Sequence, residues 1–155
     1  MTDVAHDPKL YFPGLAGVWA GIAPYGYPVI RFAAGVILIP HGWAKLFGGA
    51  APFVAEKVIA PLGFPAPYFW VYFLGVLETV GVLALALGLW TRLIAAMLVF
   101  EMLIVAFGVH IHRGWSFTSQ GGGAEYPVLL AVVYLGIFMH GSGRCSIDRL
   151  IGKEI

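Results

Sequence analysis

Residues 69–109 read FWVYFLGVLETVGVLALALGLWTRLIAAMLVFEMLIVAFGV, and this stretch decides the fold. Only Glu78, Arg92 and Glu101 are charged in it, and each half has the length, about 17–25 residues, that carries an α-helix across a hydrocarbon core. The link from Gly88 to Thr91 leaves room for a tight turn alone, so spans at 69–90 and 92–109 are predicted to run antiparallel, side by side. On the N-terminal side lies an apolar run at 28–47 carrying Arg31, Pro40, His41 and Lys45. On the C-terminal side a shorter one spans 126–141. The predicted class is all-α: an integral membrane four-helix transmembrane bundle over residues 28–143.

The flanks read differently. In residues 1–27 Tyr11, Phe12, Trp19, Tyr25 and Tyr27 stand among glycines and prolines, a composition suited to the headgroup layer, so this segment is predicted to be cytoplasmic and interfacial. The opening MTDVAHDPKL is acidic rather than basic and does not read as a cleaved signal peptide. The first span is therefore expected to act as its own insertion signal. Between the first two spans, PFVAEKVIAP (52–61) predicts a short helix begun by Pro52 and ended by Pro61, lying flat on the membrane. Residues 144–155 form a polar tail. Lys9, Arg31, Arg92, Arg144, Arg149 and Lys153 fall on the side of the termini, against Lys45, Lys57 and Arg113 opposite. Both termini are thus predicted to be cytoplasmic. A 61-residue shift aligns Arg31 with Arg92, Val71 with Val132 and Gly75 with Gly136, which reads as two like-oriented hairpin repeats.

Composition excludes several classes. Of 155 residues 60% are hydrophobic and 11% charged, where a soluble domain carries about 25% charged residues; mean hydropathy is +0.87. A net charge of +1 without a basic block gives no footprint for nucleic acid. The single Cys145 permits no intrachain disulfide, CxxC pair or four-thiolate site. The sequence has no motif for intrinsic haem, flavin or iron–sulfur.

The chemistry must come from charges inside the apolar runs. Glu78 and Glu101 each lie about half-way along their spans at 1.5 Å per residue, and Lys45 follows His41 at i+4 on one helix face. Charged groups at that depth are expensive, turn inward and pair. Two readings follow. In the first, His41, Glu78 and Glu101 handle protons at a quinone headgroup, the expected cofactor, held in a pocket of His41, Lys45, Glu78, His110 and Glu125. In the second, the same groups are polar glue between helices, bonded to one another, to Lys45 or to Thr79. His110 and His112 have only Glu125 as a nearby carboxylate, so no metal site is expected. Gly121–Gly123 read as a flexible cap leading into the fourth helix, with Glu125 a candidate partner of Lys45 or Arg113. Arg31 and Arg92 at inner helix ends are explained by snorkelling and topology.

The stretches RFAAGVILIPHGWAKLFGG (31–49), LGVLETVGVLALALGLWTRLIA (74–95), AFGVH (106–110), GGGAEYPVLL (121–130) and GSGRCSIDRL (141–150) together resemble the DoxX family of small membrane proteins, over about residues 28–150. The family's polar signature falls here on Arg31, His41, Gly42, Lys45, Glu78, Arg92, His110, Glu125, Tyr126, Arg144, Ser146 and Asp148. Glu101 and Cys145 depart from it. The resemblance implies four transmembrane helices and an association with quinone-linked oxidoreductases, through members tied to thiosulfate oxidation. The expected role is a membrane subunit of a quinone-linked oxidoreductase or electron-transfer complex, surrounded by lipid, with a protein partner or further copies of itself. The alternatives are a non-enzymatic structural or assembly subunit, built on small residues such as Gly35, Gly75 and Gly136, and a small-solute or proton conductor.

Overall fold

Pro13 opens the first helical segment, because a residue without an N–H costs nothing where the helix has no acceptor for it. The structure, a computed structural model, describes residues 9–154; residues 1–8 of the predicted N-terminal segment and residue 155 of the tail lie outside them. One 3₁₀ turn, Pro13–Leu15, runs into α1, Ala16–Val36, which contains Pro24 and Pro28. The helix therefore runs unbroken past residues 27 and 28. Each proline forfeits one hydrogen bond, but unwinding in apolar surroundings would expose more unpaired backbone. At Ile37 and Leu38 the helix does break, and Pro40 starts α2, Ile39–Leu46.

Pro52 likewise begins α3, Ala51–Val54, which continues as a π-helical turn, Ala55–Ile59, and a 3₁₀ turn, Ala60–Leu62. The helix predicted between the two prolines is there. Its Ala51, Ala55 and Ile59, spaced by four, are buried with Val71 of α4, Pro67–Val76, so the segment docks by one apolar stripe. α4 passes through a π turn, Leu77–Gly81, into α5, Val82–Leu87. After the turn at Gly88, α6, Thr91–Ile104, extends through a π turn, Val105–His110, and a 3₁₀ turn, Ile111–Arg113. α7, Glu125–His140, and the short α8, Ile147–Leu150, complete the chain. No strand occurs among the described residues.

Three helical segments, Pro13–Leu46, Pro67–Leu87 and Thr91–Arg113, are long and apolar enough to cross a membrane; α7 is apolar but shorter, at 16 residues. The molecule is an all-helical membrane protein. Its outer surface is apolar, with Phe32, Val80, Phe100, Val132 and Met139 more than half exposed. α1 lies along α5, α2 along α4 and the following π turn, and α6 along α7. Leu85, Ile94, Leu98, Tyr134 and Ile137 form the centre of the core. A Cβ on Gly35 would stand 2.7 Å from the Val82 carbonyl oxygen, and one on Gly42 2.8 Å from that of Gly75. Backbones touch there, as small residues allow in apolar bundles.

The polar tail is more than an exit from the bilayer. Arg31 is 1% exposed and donates to the carbonyls of Ser142 and, at 2.7 Å, Cys145; it is a buried tether, not a snorkelling cation. Asp148, 2% exposed, accepts from the amides of Trp90 (2.9 Å) and Thr91 (3.0 Å) and from the Thr91 hydroxyl (2.9 Å). A carboxylate from a remote segment thus caps α6, whose first amides have no partner in the helix and whose dipole favours negative charge there. Arg92 is partly exposed, as expected, pairing with Glu154 at 3.2 Å. Asp148→Ala is expected to cost about 3 kcal/mol by stranding these donors, and Asp148→Asn, which keeps one acceptor oxygen, less. Thermal unfolding in detergent checks this; an unchanged melting temperature for Asp148→Ala would contradict the capping role.

Candidate functional site

The site is built around the π turn Leu77–Gly81, sequence LETVG. A π turn inserts one residue into the helix, shifting its face and freeing a backbone acceptor. Thr79 Oγ1 takes up the slack, donating to the carbonyls of Gly75 (2.7 Å) and Val76 (3.3 Å). Three consecutive residues, Leu77, Glu78 and Thr79, are consequently buried, which one face of a regular surface helix does not permit.

Lys45 reaches Glu78 from α2, and the two form an ion pair with side chains 14% and 5% exposed. Gly42 sits at the centre of the inward face of α2, pressed on Thr79 and Gly75. At about 100° per residue Lys45 falls at the edge of that face and His41 beyond it. His41 is exposed accordingly. The i+4 relation of His41 and Lys45 held, but the helix phase leaves the histidine outside the site.

Glu101 comes from α6. It is 5% exposed, shares a cavity wall with Glu78 and Lys45, and its Oε2 is buried without a hydrogen-bond partner among the described residues. These groups line a cavity of about 420 Å³, within the range of small-molecule sites, roughly 300–1,000 Å³. The rest of the wall is largely apolar, with Phe64, Trp70, Phe73, Leu77, Met97 and Phe100 prominent. All three π turns contribute to it: Val58 and Ile59 from the first, Leu77 and Glu78 from the second, Val105, Val109 and His110 from the third. Each displaces its helix by a residue exactly where the space opens.

His110 and Arg113 also line the cavity and tie down the glycine run, His110 Nδ1 lying 2.9 Å from the Gly122 carbonyl and Arg113 donating to that of Gly121 at 2.8 Å. Gly121 and Gly122 have φ of +83° and +79°, a conformation other residues rarely take. The run is thus a fastened loop rather than a loose cap. Glu125 is exposed and accepts from the Phe117 amide at 3.1 Å, closing the loop on itself. It meets neither Lys45, which is taken by Glu78, nor Arg113. Among the described residues no three His, Cys, Asp or Glu side chains gather as a metal ion would require.

The structure therefore brings together Lys45, Glu78, Glu101 and His110, and leaves His41 and Glu125 outside. Sequence reading missed Arg113 and Trp70 as cavity residues. Arg113 lies three residues beyond His110, a helical neighbour, and that spacing was the available signal.

The DoxX family profile matches residues 26–111, a range that contains Lys45, Glu78, Glu101 and His110. An uncharacterized protein of Haemophilus influenzae is 30% identical over 132 residues, covering 84% of this chain and 94% of its own length. No solved structure matches the chain.

Breaking a buried ion pair from one side leaves an uncompensated charge, at about 3–5 kcal/mol. Lys45→Met is expected to lose stability on that scale, and the double variant Lys45→Met/Glu78→Met to lose less than the sum of the singles. Denaturation of the four proteins in detergent measures this coupling; additive losses would show that the pair contributes nothing as a pair.

Proposed function

The chain belongs to the DoxX family, and from that membership we propose that it is a membrane subunit of a quinone-linked oxidoreductase or electron-transfer complex, holding a quinone headgroup between its helices. The observation that carries this reading is the cavity. It is apolar along its walls and acidic at one place, where Glu101 presents a carboxyl oxygen lacking a partner beside the Lys45–Glu78 pair. A quinone headgroup is a flat ring on an apolar tail, with oxygen atoms at opposite edges. Phe64, Trp70, Phe73 and Phe100 supply surfaces for such a ring. Bound there, a quinone supplies two-electron, two-proton chemistry that side chains lack.

The chain's own residues then have distinct tasks. Lys45 donates to an oxygen of the ring, Glu78 holds Lys45 and offsets its charge, and Glu101 accepts from a hydroxyl of the reduced form. His110, at the loop-covered end, exchanges protons between the cavity and the surface. In this reading Glu101 handles the proton of the reduced ring, Glu78 acts through Lys45, and His41, exposed on α2, takes no part. Electrons come from a partner subunit, since the sequence has no motif for a flavin, haem or iron–sulfur centre. In the same reading α7 makes a fourth crossing: 16 residues span about 24 Å, and it packs along α6. The two pairs of spans are then like-oriented hairpins with both termini in the cytoplasm, on the side richer in Lys and Arg of the inner membrane.

The test is quinone binding by the purified full chain, followed by quenching of tryptophan fluorescence, with solvent extraction to identify retained quinone. Wild-type protein is expected to bind, Glu101→Leu to bind about tenfold more weakly through loss of one hydrogen bond, and His41→Ala to bind as wild type. Absence of binding by wild type, or equal binding by Glu101→Leu, overturns the proposal.

A further inference from the structure

At the far end of α6 from His110, the strap formed by residues 141–154 encloses a second concavity of about 480 Å³. His140, Arg144, Arg149 and Lys153 line it together with Asp148 and Glu154. The two carboxylates are already committed inside the protein: Asp148 caps α6, and Glu154 Oε1 accepts from the Ser142 amide at 2.6 Å and pairs with Arg92. Arg144, Arg149 and Lys153 are exposed and make no salt bridge among the described residues. In the lining three cations, Arg144, Arg149 and Lys153, stand beside two carboxylates whose contacts lie elsewhere. Such a pocket is electrostatically incomplete and calls for an anion with several oxygens.

What that anion belongs to is indicated by the neighbouring side chains. Leu150 and Ile151, between Arg149 and Lys153, are 87% and 55% exposed. Leu150 closes α8 and Ile151 follows it, ten residues beyond the end of the apolar α7 at His140, and an exposed apolar pair flanked by cations matches a segment lying in the headgroup layer. A free phosphate would satisfy the cations and leave Leu150 and Ile151 in water. A phospholipid satisfies both.

We propose that the strap pocket binds the phosphate headgroup of an anionic membrane lipid through Arg144, Arg149 and Lys153, with Leu150 and Ile151 entering the acyl boundary. The site is separate from the cavity and independent of the quinone reading. In binding, the cations hold the strap between membrane and bundle, reinforcing the Arg31 and Asp148 contacts beneath it.

Lipid binding to the full chain in detergent is read by native mass spectrometry with phosphatidylglycerol, phosphatidylcholine and inorganic phosphate. Wild-type protein is expected to prefer phosphatidylglycerol over phosphatidylcholine, and the variant Arg144→Gln/Arg149→Gln/Lys153→Gln to lose that preference, about fivefold for each charge removed. Leu150→Ser/Ile151→Ser is expected to weaken both lipids. The single variants Arg144→Gln and Lys153→Gln give the same readout in smaller steps if the triple variant does not fold. Equal binding of the two lipids by wild type, or an undiminished preference in the charge variants, overturns the proposal. So does displacement of the lipid by millimolar inorganic phosphate, which would assign the pocket to a free anion.

Discussion

A lysine and a glutamate held out of water between apolar helices are the constraint around which this molecule is arranged. Removing two charges from water costs several kcal/mol for each, and mutual attraction repays it only when the geometry is held tightly. Here the holding is done by backbone contact. Gly42 lets α2 rest on Gly75 and Thr79, which brings the root of Lys45 within reach of Glu78, while the π turn Leu77–Gly81 turns Glu78 inward and Thr79 satisfies the carbonyl groups it loosens. Apolar residues in both places would pack with less cost. What the pair provides instead is a polar point at the wall of an apolar cavity, with Glu101 adding an acceptor that nothing in the described protein uses.

α6 connects the two polar regions of the structure. Its first turn is fixed by Asp148 and the strap, which Arg31 in turn binds to α1 and to the turn at Gly88. Its far end is fixed by the contact of His110 with the Gly122 carbonyl. A helix held at both ends and packed along α7 has a set rotation, and that rotation is what aims Glu101 at Lys45 and Glu78. The tail therefore contributes to the geometry of a cavity it does not touch.

Much of this was legible in the sequence, for definite reasons. The two spans within 69–109 follow from apolar length, and the last helix, Glu125–His140, falls within a residue of its expected limits because Pro127 and Gly141 bracket it. Lys45, Glu78 and Glu101 stood out because charge in an apolar run must turn inward and find a partner. His41 satisfied the same rule and still faces outward, since a shift of about 100° in helix phase is decided by which residue meets the neighbouring backbone, here Gly42. Glu125 depends on the path of the loop from Gly114 to Ala124, which no spacing specifies. The prolines and aromatic residues before residue 28 read as interfacial, yet the backbone keeps its helix through Pro24 and Pro28. The π turns carry no sequence signature, and with them the room for a ligand was invisible. Arg31 and Asp148 looked like topology and tail, because the pairing of residues more than fifty positions apart is a tertiary fact.

The most direct test of the account is photolabelling of the full chain in lipid nanodiscs with an azidoquinone, the labelled residues being read by peptide mass spectrometry. The account predicts label on the cavity wall, in the segments around Trp70 to Glu78 and Met97 to Val109, competed by unlabelled quinone. Label confined to outward residues such as Val132 and Met139 of α7, or label that competitor quinone does not reduce, would contradict it.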